Sequence, residues 1–503
     1  PPNSGPPLHG GSGRLLRWLL SGVGAAFLLL YVVLAIQRLG YPYELEWMEG
    51  GVVDHITRVL AGERLYVAPS LDFIPFAYTP LYVYLSAAIT SLMGPGFLAP
   101  RFLSLLASLG CYVLLYAFVR RETGSRFAAF LSAALFAAMF RLAGAWFDIA
   151  RCDSLFLLFL LASAYGIRFG RTLPAGVAAG ALAALAFLTK QTALPIMIPL
   201  LIYAFYADWR RALTVTFTLG VLLVASTLIL DSLHDGWYRY YVFDLPGDRW
   251  QATPRAGKAA GFLLSDLLPA LSIAIAYAIL FLLHLWHGAR RQLVFYLLFA
   301  AGMLGAAWIS RLESGGYANV LFPAYACIAM LFGLGLHVAT QLLRSTRSHA
   351  GRIGEATLLI AACLQFVSLT YNPRWVLPSA TDRQAGKRLV AMLAQIPGEI
   401  WVPYHGYLPT LAEKQPHAHL MAINDILNSS PGETRSTMTE NVAAALREQR
   451  FAAIILDSGL WGFEDLLAEH YEQTEEIFSN PNVFWPATGM RTRPEKLYTP
   501  RRN

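Results

Sequence analysis

Four short polar segments, each lying beside an apolar run of the sequence, contain side chains of the types that carry out chemistry. Carboxylates in such segments can act as general bases or bind metal ions, and cations can neutralise a departing phosphate. Together they are the groups that transfer from a phosphate-linked donor would need. The four segments are residues 43–50, with Glu46 and Glu49; residues 147–153, with Arg151 and Asp153; residues 189–192, with Lys190; and residues 310–319, with Arg311, Glu313, Tyr317 and Asn319.

Two interpretations of these charges stay open at the level of sequence. A charge left unpaired near a bilayer costs on the order of several kcal/mol, so each one needs a partner or a function. Any single segment is compatible with interfacial side chains that extend to water. The functional interpretation gains weight because the four segments, taken together, place both acids and bases on one predicted face. Glu46 and Glu49 are three residues apart and would share one face of a helix.

The composition indicates what kind of protein positions these groups. Of 503 residues, 56% are hydrophobic and only 14% are charged, with a mean hydropathy of +0.46. Soluble domains have about 25% charged residues. The apolar runs fill residues 14–371, residues 372–503 have the composition of a soluble domain, and residues 1–13 form a tail that we expect to be disordered. The sequence predicts an α-helical polytopic membrane protein with a small C-terminal α/β domain.

The charge pattern supports a membrane protein and argues against nucleic-acid binding. The net charge is +7, but Lys and Arg lie in short clusters between apolar runs, as in cytoplasmic loops. The four cysteines form no CxxC pair, so neither a disulfide framework nor a zinc site is predicted. The cysteines are Cys111, Cys152, Cys327 and Cys363.

The positive-inside rule sets the predicted topology. Residues 18–36 form a first span with its N-terminal side in the cytoplasm, and a long first outer loop follows at 37–100. Within this loop, residues 81–93 are too short to cross and predict an interfacial helix. The arginine clusters then fall inside, while the four polar segments and the C-terminal domain fall outside. Ten further spans are predicted at 102–119, 127–140, 154–167, 175–189, 193–207, 212–230, 261–285, 292–309, 320–339 and 354–371, giving eleven in all.

The C-terminal domain shows helical spacing followed by short apolar runs. Residues 385–396 precede a run at 400–403, and residues 442–450 precede a run at 451–456. This alternation predicts a small α/β domain. No G-x-G-x-x-G or P-loop motif is present, so no nucleotide site is predicted. Its histidines are interpreted as surface residues; they are His405, His417 and His419.

The order of several motifs resembles a known superfamily. An acidic outer segment is followed by G-x-x-L-Y, ending at Tyr66, and by P-F-A-Y-T-P-L-Y, with Tyr78 and Tyr82. A-R-C-D-S-L, F-L-T-K-Q-T and G-Y-A-N follow in the later segments. This set resembles the GT-C membrane glycosyltransferases, above all glycosyltransferase family 39, which includes protein mannosyltransferases and the transferases that add aminoarabinose to lipid A.

The resemblance implies an inverting transferase that uses a polyprenyl-phosphate-linked sugar donor on the outer face of the membrane. The family places an adjacent Asp-Glu pair where this chain has Glu46 and Glu49 separated, so either could be the base. A divalent metal ion is a possible cofactor, for which His55 and Asp54 are the candidate ligands. The implied roles are catalysis for Glu46, Glu49 and Asp153; donor-phosphate binding for Arg151, Lys190 and Arg311; and substrate binding for Tyr66, Tyr78, Tyr82, Glu313, Tyr317 and Asn319.

The acceptor and the sugar are not specified by the sequence. A lipid, a glycan and a protein all remain possible acceptors. The resemblance implies a multi-pass protein of the bacterial inner membrane, acting in the cell envelope, with its C-terminal domain in the periplasm. The alternative is a transporter or flippase of lipid-linked sugar, but no repeated halves with matched broken helices are visible.

Overall fold

The computed structural model describes residues 11–252, 261–313, 315–346 and 348–501, and these form a helical bundle followed by a small sheet. The fold class predicted from the sequence is confirmed. The first ten residues of the predicted tail lie outside the described residues, and the first helix begins at Gly11, within that tail.

Each of the eleven predicted spans coincides with a helix of the bundle. The predicted interfacial segment 81–93 is also helical. The helices are α1 (Gly11–Leu39), α2 (Glu49–Leu60), α3 (Leu81–Met93), α4 (Leu98–Thr123), α5 (Arg126–Ala138), α6 (Asp153–Phe169), α7 (Leu173–Thr189), α8 (Ala193–Ala207), α9 (Trp209–Leu233), α10 (237–252, partly π-helical), α11 (Phe262–Trp286), α12 (Arg290–Leu312), α13 (Phe322–Ser345) and α14 (His349–Ser368).

Helix length and composition decide which helices are able to cross a bilayer. Within the described ranges, seven are long and apolar enough: α1, α4, α9, α11, α12, α13 with the short turn before it, and α14. Shorter apolar helices are α3, α5, α7 and α8. The number of spans and the sidedness of the loops therefore stay predictions.

Capped polar turns join consecutive helices at one end of the bundle. A Ser, Thr or Asp side chain accepts the backbone N–H three residues later, which satisfies a donor that the helix leaves unpaired. These turns make hairpins of α4 with α5, α6 with α7, α8 with α9, and α13 with α14, so the free ends of these helices meet at the opposite end. The capping residues are Ser125, Thr172, Asp208 and Ser348.

Helix α13 lies at the centre of the bundle, and most of its residues are buried. It packs against α5, α11, α12 and α14. At Gly335 a Cβ atom would lie 2.0 Å from the carbonyl oxygen of Tyr277 in α11. Only glycine permits this approach of two helix backbones, which is a common device where helices pack in a membrane.

The C-terminal region, residues 372–503, contains a four-stranded sheet in the order β1-β2-β4-β3. Both predicted helix-then-strand units are present, and β1 pairs in parallel with β2. The sequence interpretation missed the last two strands, because β3 is polar and mostly exposed. The elements are α15 (Ala380–Gln395), β1 (Ile400–Trp401), α16 (Tyr407–Leu411), α17 (Leu420–Leu427), α18 (Glu433–Arg447), β2 (Ala453–Leu456), α19 (Glu464–His470), β3 (Tyr471–Glu476) and β4 (Lys496–Pro500).

The C-terminal region packs directly on residues 41–76, and this packing buries the three histidines interpreted as surface residues. That interpretation was wrong. His405 contacts Glu44 and Asp457 through its two ring nitrogens. His419 contacts the backbone oxygens of Trp47 and Tyr404 at 3.2 and 3.1 Å. His417 is also buried, with its Nδ1 3.3 Å from Asp72.

Candidate active site

The free helix ends opposite the capped turns carry most of the predicted site residues. Glu46 lies in the turn before α2, and Asp153 begins α6 directly after Arg151 and Cys152. Lys190 follows the last residue of α7, and Asn319 lies in the 3₁₀ turn that leads into α13. The hairpin connections bring these positions to one end of the bundle, where the C-terminal region also lies.

Glu49 is held by four hydrogen bonds. Arg101 donates to its two oxygens at 2.9 and 2.7 Å, and the backbone N–H groups of Leu45 and Ala150 each donate at 2.6 Å. Burial would raise the pKa of Glu49, but the Arg101 charge and these hydrogen bonds lower it below its ordinary value. Glu49 is therefore an ionised anchor, and both of its oxygens are occupied.

Arg101 was missed at the level of sequence. It is fully buried, and it also donates to the carbonyl oxygens of Tyr41 and Tyr43 at 2.6 and 2.7 Å. The one signal in the sequence was an arginine placed directly before an apolar run, at the start of the predicted span 102–119. This arginine shapes the segment that carries Glu46.

Glu46 has a different environment from Glu49. Glu49 begins helix α2, whereas Glu46 lies before it. The two carboxylates therefore do not share a helix face, contrary to the expectation from their spacing. Glu46 is fully buried, and its Oε2 lies 3.2 Å from Arg151 Nη1. Its Oε1 has no hydrogen-bond partner among the described residues. Burial raises the pKa of Glu46 to about 8, although the Arg151 charge opposes this.

Aromatic side chains surround Arg151. Tyr78 accepts a hydrogen bond from it at 3.0 Å, and the guanidinium lies over the rings of Tyr78 and Trp146, at 5.5 and 5.3 Å from their centroids. Such contacts favour a cation at a partly desolvated position. Trp146 also stacks on Tyr317, with 6.5 Å between ring centroids. Trp146 had not been predicted as a site residue.

Asp153, two residues after Arg151, forms a second acid–base pair with Lys190. Lys190 Nζ is 2.5 Å from Asp153 Oδ1, and the same oxygen accepts from Asn319 at 3.1 Å. Asp153 Oδ2 has no partner among the described residues. Burial would lower the pKa of Lys190, but Asp153 raises it, so the ammonium group stays charged. Glu46 and Asp153 thus each pair with a cation through one carboxylate oxygen. The other oxygen of each is buried and has no hydrogen-bond partner among the described residues; we call it the open oxygen.

The fourth polar segment is only partly drawn into this cluster. Arg311 pairs with Asp266 at 2.8 and 3.2 Å and also donates to the carbonyl of Gly316. Neither of these partners is among the residues that pair with Glu46 or Asp153. Glu313 follows the last residue of α12. Tyr317 is 38% exposed, so its ring is accessible at the edge of the site.

Two cavities lie beside the Glu46–Arg151 and Asp153–Lys190 pairs. The first is partly open to solvent, with about 440 Å³ of space not filled by atoms, and is lined by Arg151, Cys152 and several aromatic side chains. Tyr66 and Tyr82 lie in its wall, and their hydroxyls donate to the carbonyls of Tyr78 and Pro100 at 2.7 and 2.8 Å. The second is also partly open, with about 230 Å³ of such space, and its lining residues are Phe156, Lys190, Thr192, Ile196, Ala306, Ser310, Asn319, Val320 and Pro323.

The candidate metal ligands do not form a metal site in the described part of the chain, where no group of three His, Cys, Asp or Glu side chains is suitably placed. His55 uses Nδ1 on the carbonyl of Gly51 and accepts the N–H of Phe76 on Nε2 at 2.9 Å. The open carboxylate oxygens of Glu46 and Asp153 each belong to a group already paired with a cation. Among the described residues, these side chains therefore do not form the set of three or more ligands that would fit a divalent ion.

Comparison with known proteins gives one family match and several similar folds. Residues 77–233 match the family model described as dolichyl-phosphate-mannose-protein mannosyltransferase. No curated protein matches the chain in sequence. The matched range includes Arg151, Asp153 and Lys190, but it does not include Glu46.

Solved structures of other proteins cover nearly the whole chain. ArnT from Cupriavidus metallidurans, bound to undecaprenyl phosphate, is 12% identical with a TM-score of 0.59, over 95% of this chain and 98% of that one. Its apo form is 13% identical with a TM-score of 0.57, over 94% and 97%. The Archaeoglobus fulgidus oligosaccharyltransferase, in complex with Zn and sulfate, is 12% identical with a TM-score of 0.54, over 86% and 67%. At these identities the similarity shows the fold.

Proposed function

We propose that this chain, which has the GT-C fold of membrane glycosyltransferases, is an inverting glycosyltransferase that uses a polyprenyl-phosphate-linked sugar as donor. The observation that carries the proposal is the pair of buried carboxylates, Glu46 and Asp153, each of which holds a cation with one oxygen and leaves the other open. The identities of the donor and the acceptor are part of the proposal. They are supported by the family match and by the similarity in fold to ArnT, whose structure contains bound undecaprenyl phosphate.

The two cations match the charge that develops on the leaving group. When the bond between the anomeric carbon and the phosphate oxygen breaks, the polyprenyl phosphate leaves as an anion. Arg151 and Lys190 carry positive charge in a buried site, where a cation stabilises a developing anion more strongly than in water. Lys190 lines the smaller cavity, and Arg151 lines the larger one. We assign donor-phosphate binding to both.

Glu46 is the better candidate for the base. Its open Oε1 accepts the proton of the acceptor hydroxyl while the acceptor oxygen bonds to the anomeric carbon from the face opposite the phosphate, which inverts the configuration. Burial raises its pKa to about 8, so Glu46 is a stronger base than an ordinary carboxylate and is still partly ionised near neutral pH. Glu49 positions the segment instead, because all its hydrogen-bonding capacity is used by Arg101 and two backbone groups.

Asp153 has a supporting role in the proposed reaction. Its paired oxygen orients Lys190 and Asn319. Its open oxygen provides negative charge near a sugar carbon that becomes oxocarbenium-like, as carboxylates do in glycosidases. Arg311, Glu313 and Tyr317 are assigned to the rim of the site, where Tyr317 offers an exposed ring against which a sugar can stack.

The lipid tail of the donor must stay in the bilayer, so the site must open at the membrane surface. We place this surface on the outer side, which is periplasmic in a bacterial inner membrane, because the arginine-rich turns lie at the other end of the bundle. The acceptor is a hydroxyl of a lipid, a glycan or a protein.

The proposal is tested by supplying purified full-length protein with undecaprenyl phosphate carrying a labelled hexose or pentose, together with outer-membrane lipid, glycan and protein acceptors. Transfer of label with release of undecaprenyl phosphate supports the proposal. We expect Glu46→Gln to abolish release, and Glu63→Gln, at an exposed position of the same loop, to leave it unchanged. A flippase would instead move the intact lipid-linked sugar across vesicles without breaking a bond, and that result would refute the proposal.

A further inference from the structure

Residues 484–492 of the C-terminal region, called the strap, lie across the candidate active site. Its first residue is fixed at the C-terminal region, because Asp382 in α15 accepts the N–H of Phe484 at 2.6 Å. Directly beyond its last residue, Arg493 donates to the carbonyl of Val483 at 2.8 Å. Both ends of the strap are therefore held in place by hydrogen bonds within the C-terminal region.

Thr488, in the middle of the strap, binds two different parts of the bundle. Its N–H donates to the carbonyl of Leu45 at 3.0 Å, one residue before Glu46. Its hydroxyl donates to the carbonyl of Gly144 and accepts from Trp146 Nε1 at 2.6 Å. One residue, through its backbone N–H and its hydroxyl, thus joins the segment of the candidate base to the loop that precedes Arg151.

Gly489 lies directly over Glu46. It is in the left-handed region, with φ of +79°, and a Cβ atom there would be 2.7 Å from Glu46 Cγ and 3.1 Å from Oε1. Gly489 itself is exposed, whereas Glu46 has no exposed surface. The strap backbone at Gly489 thus lies between solvent and the carboxylate oxygen of Glu46 that has no hydrogen-bond partner among the described residues.

Water competes with any acceptor in a glycosyl transfer. If water reached the donor, the same bond between the anomeric carbon and the phosphate oxygen would break, the sugar would bond to the water oxygen, and the water proton would pass to Glu46. The products would be free sugar and polyprenyl phosphate. Exclusion of water is the recognised protection against such a side reaction.

We propose that the strap keeps water from Glu46 until an acceptor displaces it, and that Thr488 and Gly489 are positioning residues which favour transfer over hydrolysis. The inference rests on the proposed function. The strap is suited to displacement because Thr488 supplies three local hydrogen bonds to the bundle, and each such bond contributes little net stability when water can replace it.

The first experiment measures shielding without using the reaction. Glu46→Cys in full-length protein is labelled with a membrane-impermeant methanethiosulfonate reagent, with Glu46→Cys/Thr488→Val and Glu46→Cys/Thr488→Ser as test and rescue variants. Because Thr488→Val removes the two hydroxyl hydrogen bonds, we expect the thiol introduced at position 46 to be labelled about tenfold faster. Thr488→Ser keeps the hydroxyl and should label as slowly as the parent. Equal rates in all three proteins would overturn the inference.

The second experiment measures how the donor is partitioned. With labelled undecaprenyl-phosphate sugar and no acceptor, Gly489→Ala should release free sugar faster than the wild type, because its Cβ forces the strap and the Glu46 side chain apart. Gly462→Ala is the matched control: Gly462 also has a positive φ, +100°, but no atom lies within 4 Å of the Cβ position. Gly462→Ala therefore places an alanine at a positive φ, with the same kind of backbone strain as Gly489→Ala, but without a contact between the new Cβ and a neighbouring residue. If both variants hydrolyse the donor alike, the inference fails.

The two experiments separate failure of the strap from failure of the proposed function. A wild type that cleaves no donor, with or without acceptors, refutes the glycosyltransferase, while the cysteine labelling still decides whether the strap shields position 46. A wild type that transfers sugar, with strap variants whose hydrolysis and labelling are unchanged, refutes the strap alone.

Discussion

Arg101 binds both carboxylate oxygens of Glu49, at 2.9 and 2.7 Å, and neither side chain has any exposed surface. Removing one partner of a buried ion pair leaves the other charge uncompensated, which costs about 3–5 kcal/mol. We therefore expect Arg101→Met to lower the free energy of unfolding by about that amount, measured by thermal or denaturant unfolding in detergent. Glu63→Gln breaks the more exposed pair with Arg58 and is the control, with an expected change of about 1 kcal/mol or less.

The pH dependence of the reaction should report Glu46. Only the ionised carboxylate can accept a proton, and burial raises its pKa to about 8. The turnover rate should therefore rise with pH through about 8 and level off above it. Arg151→Gln removes the charge that opposes the shift, so the midpoint should move to higher pH, whereas Arg151→Lys should move it less. A rate that is flat between pH 6 and 9 would contradict the assignment of Glu46 as the base.

Lys190 should act on the leaving group. Replacing it with Met removes a cation from a buried site where phosphate charge develops, and loss of one such electrostatic contact costs about 10²–10³ in rate. The measurement is release of undecaprenyl phosphate, with Lys387→Met, at an exposed position of α15, as control. Retention of full activity in Lys190→Met would show that the phosphate binds elsewhere, for example near Arg311.

His405 should stabilise the packing of the C-terminal region in a pH-dependent way. Burial lowers its pKa, but Asp457 and Glu44 on either side outweigh this and raise it to about 10. A raised folded-state pKa means that the contribution of the charged ring is complete below its ordinary value of 6.5 and is lost as pH rises through about 10. The difference in unfolding free energy between wild type and His405→Gln should therefore shrink over that interval. A difference that grows with pH would contradict a charged ring.

Helix positions could be predicted from sequence because they depend on runs of apolar residues, and every predicted span coincides with a helix. The convergence of Glu46, Arg151, Asp153, Lys190 and Asn319 was also predictable, since successive hairpins return the chain to the same end. Each of these inferences uses only local patterns and the alternation of direction along the chain.

Which charged side chains pair with one another, and which side chains are buried, could not be predicted in the same way. Glu46 and Glu49 look equivalent in sequence, and what separates them is Arg101, 52 residues away from Glu49. Arg311 was assigned to the donor phosphate, but its ion pair with Asp266 depends on how α11 and α12 are placed side by side. The histidines of the C-terminal region were misinterpreted because their burial comes from a surface more than 300 residues away in the chain.

The bond between Thr488 and Gly144 joins residues 344 positions apart. The wall around the candidate base is therefore completed by the C-terminal region. Exchanging the C-terminal region for that of a protein with the same fold would leave Glu46 without its cover, unless residues 43–49 and 144–146 were exchanged with it. The two parts must be inherited together, and natural variants should show paired changes at these positions rather than independent ones.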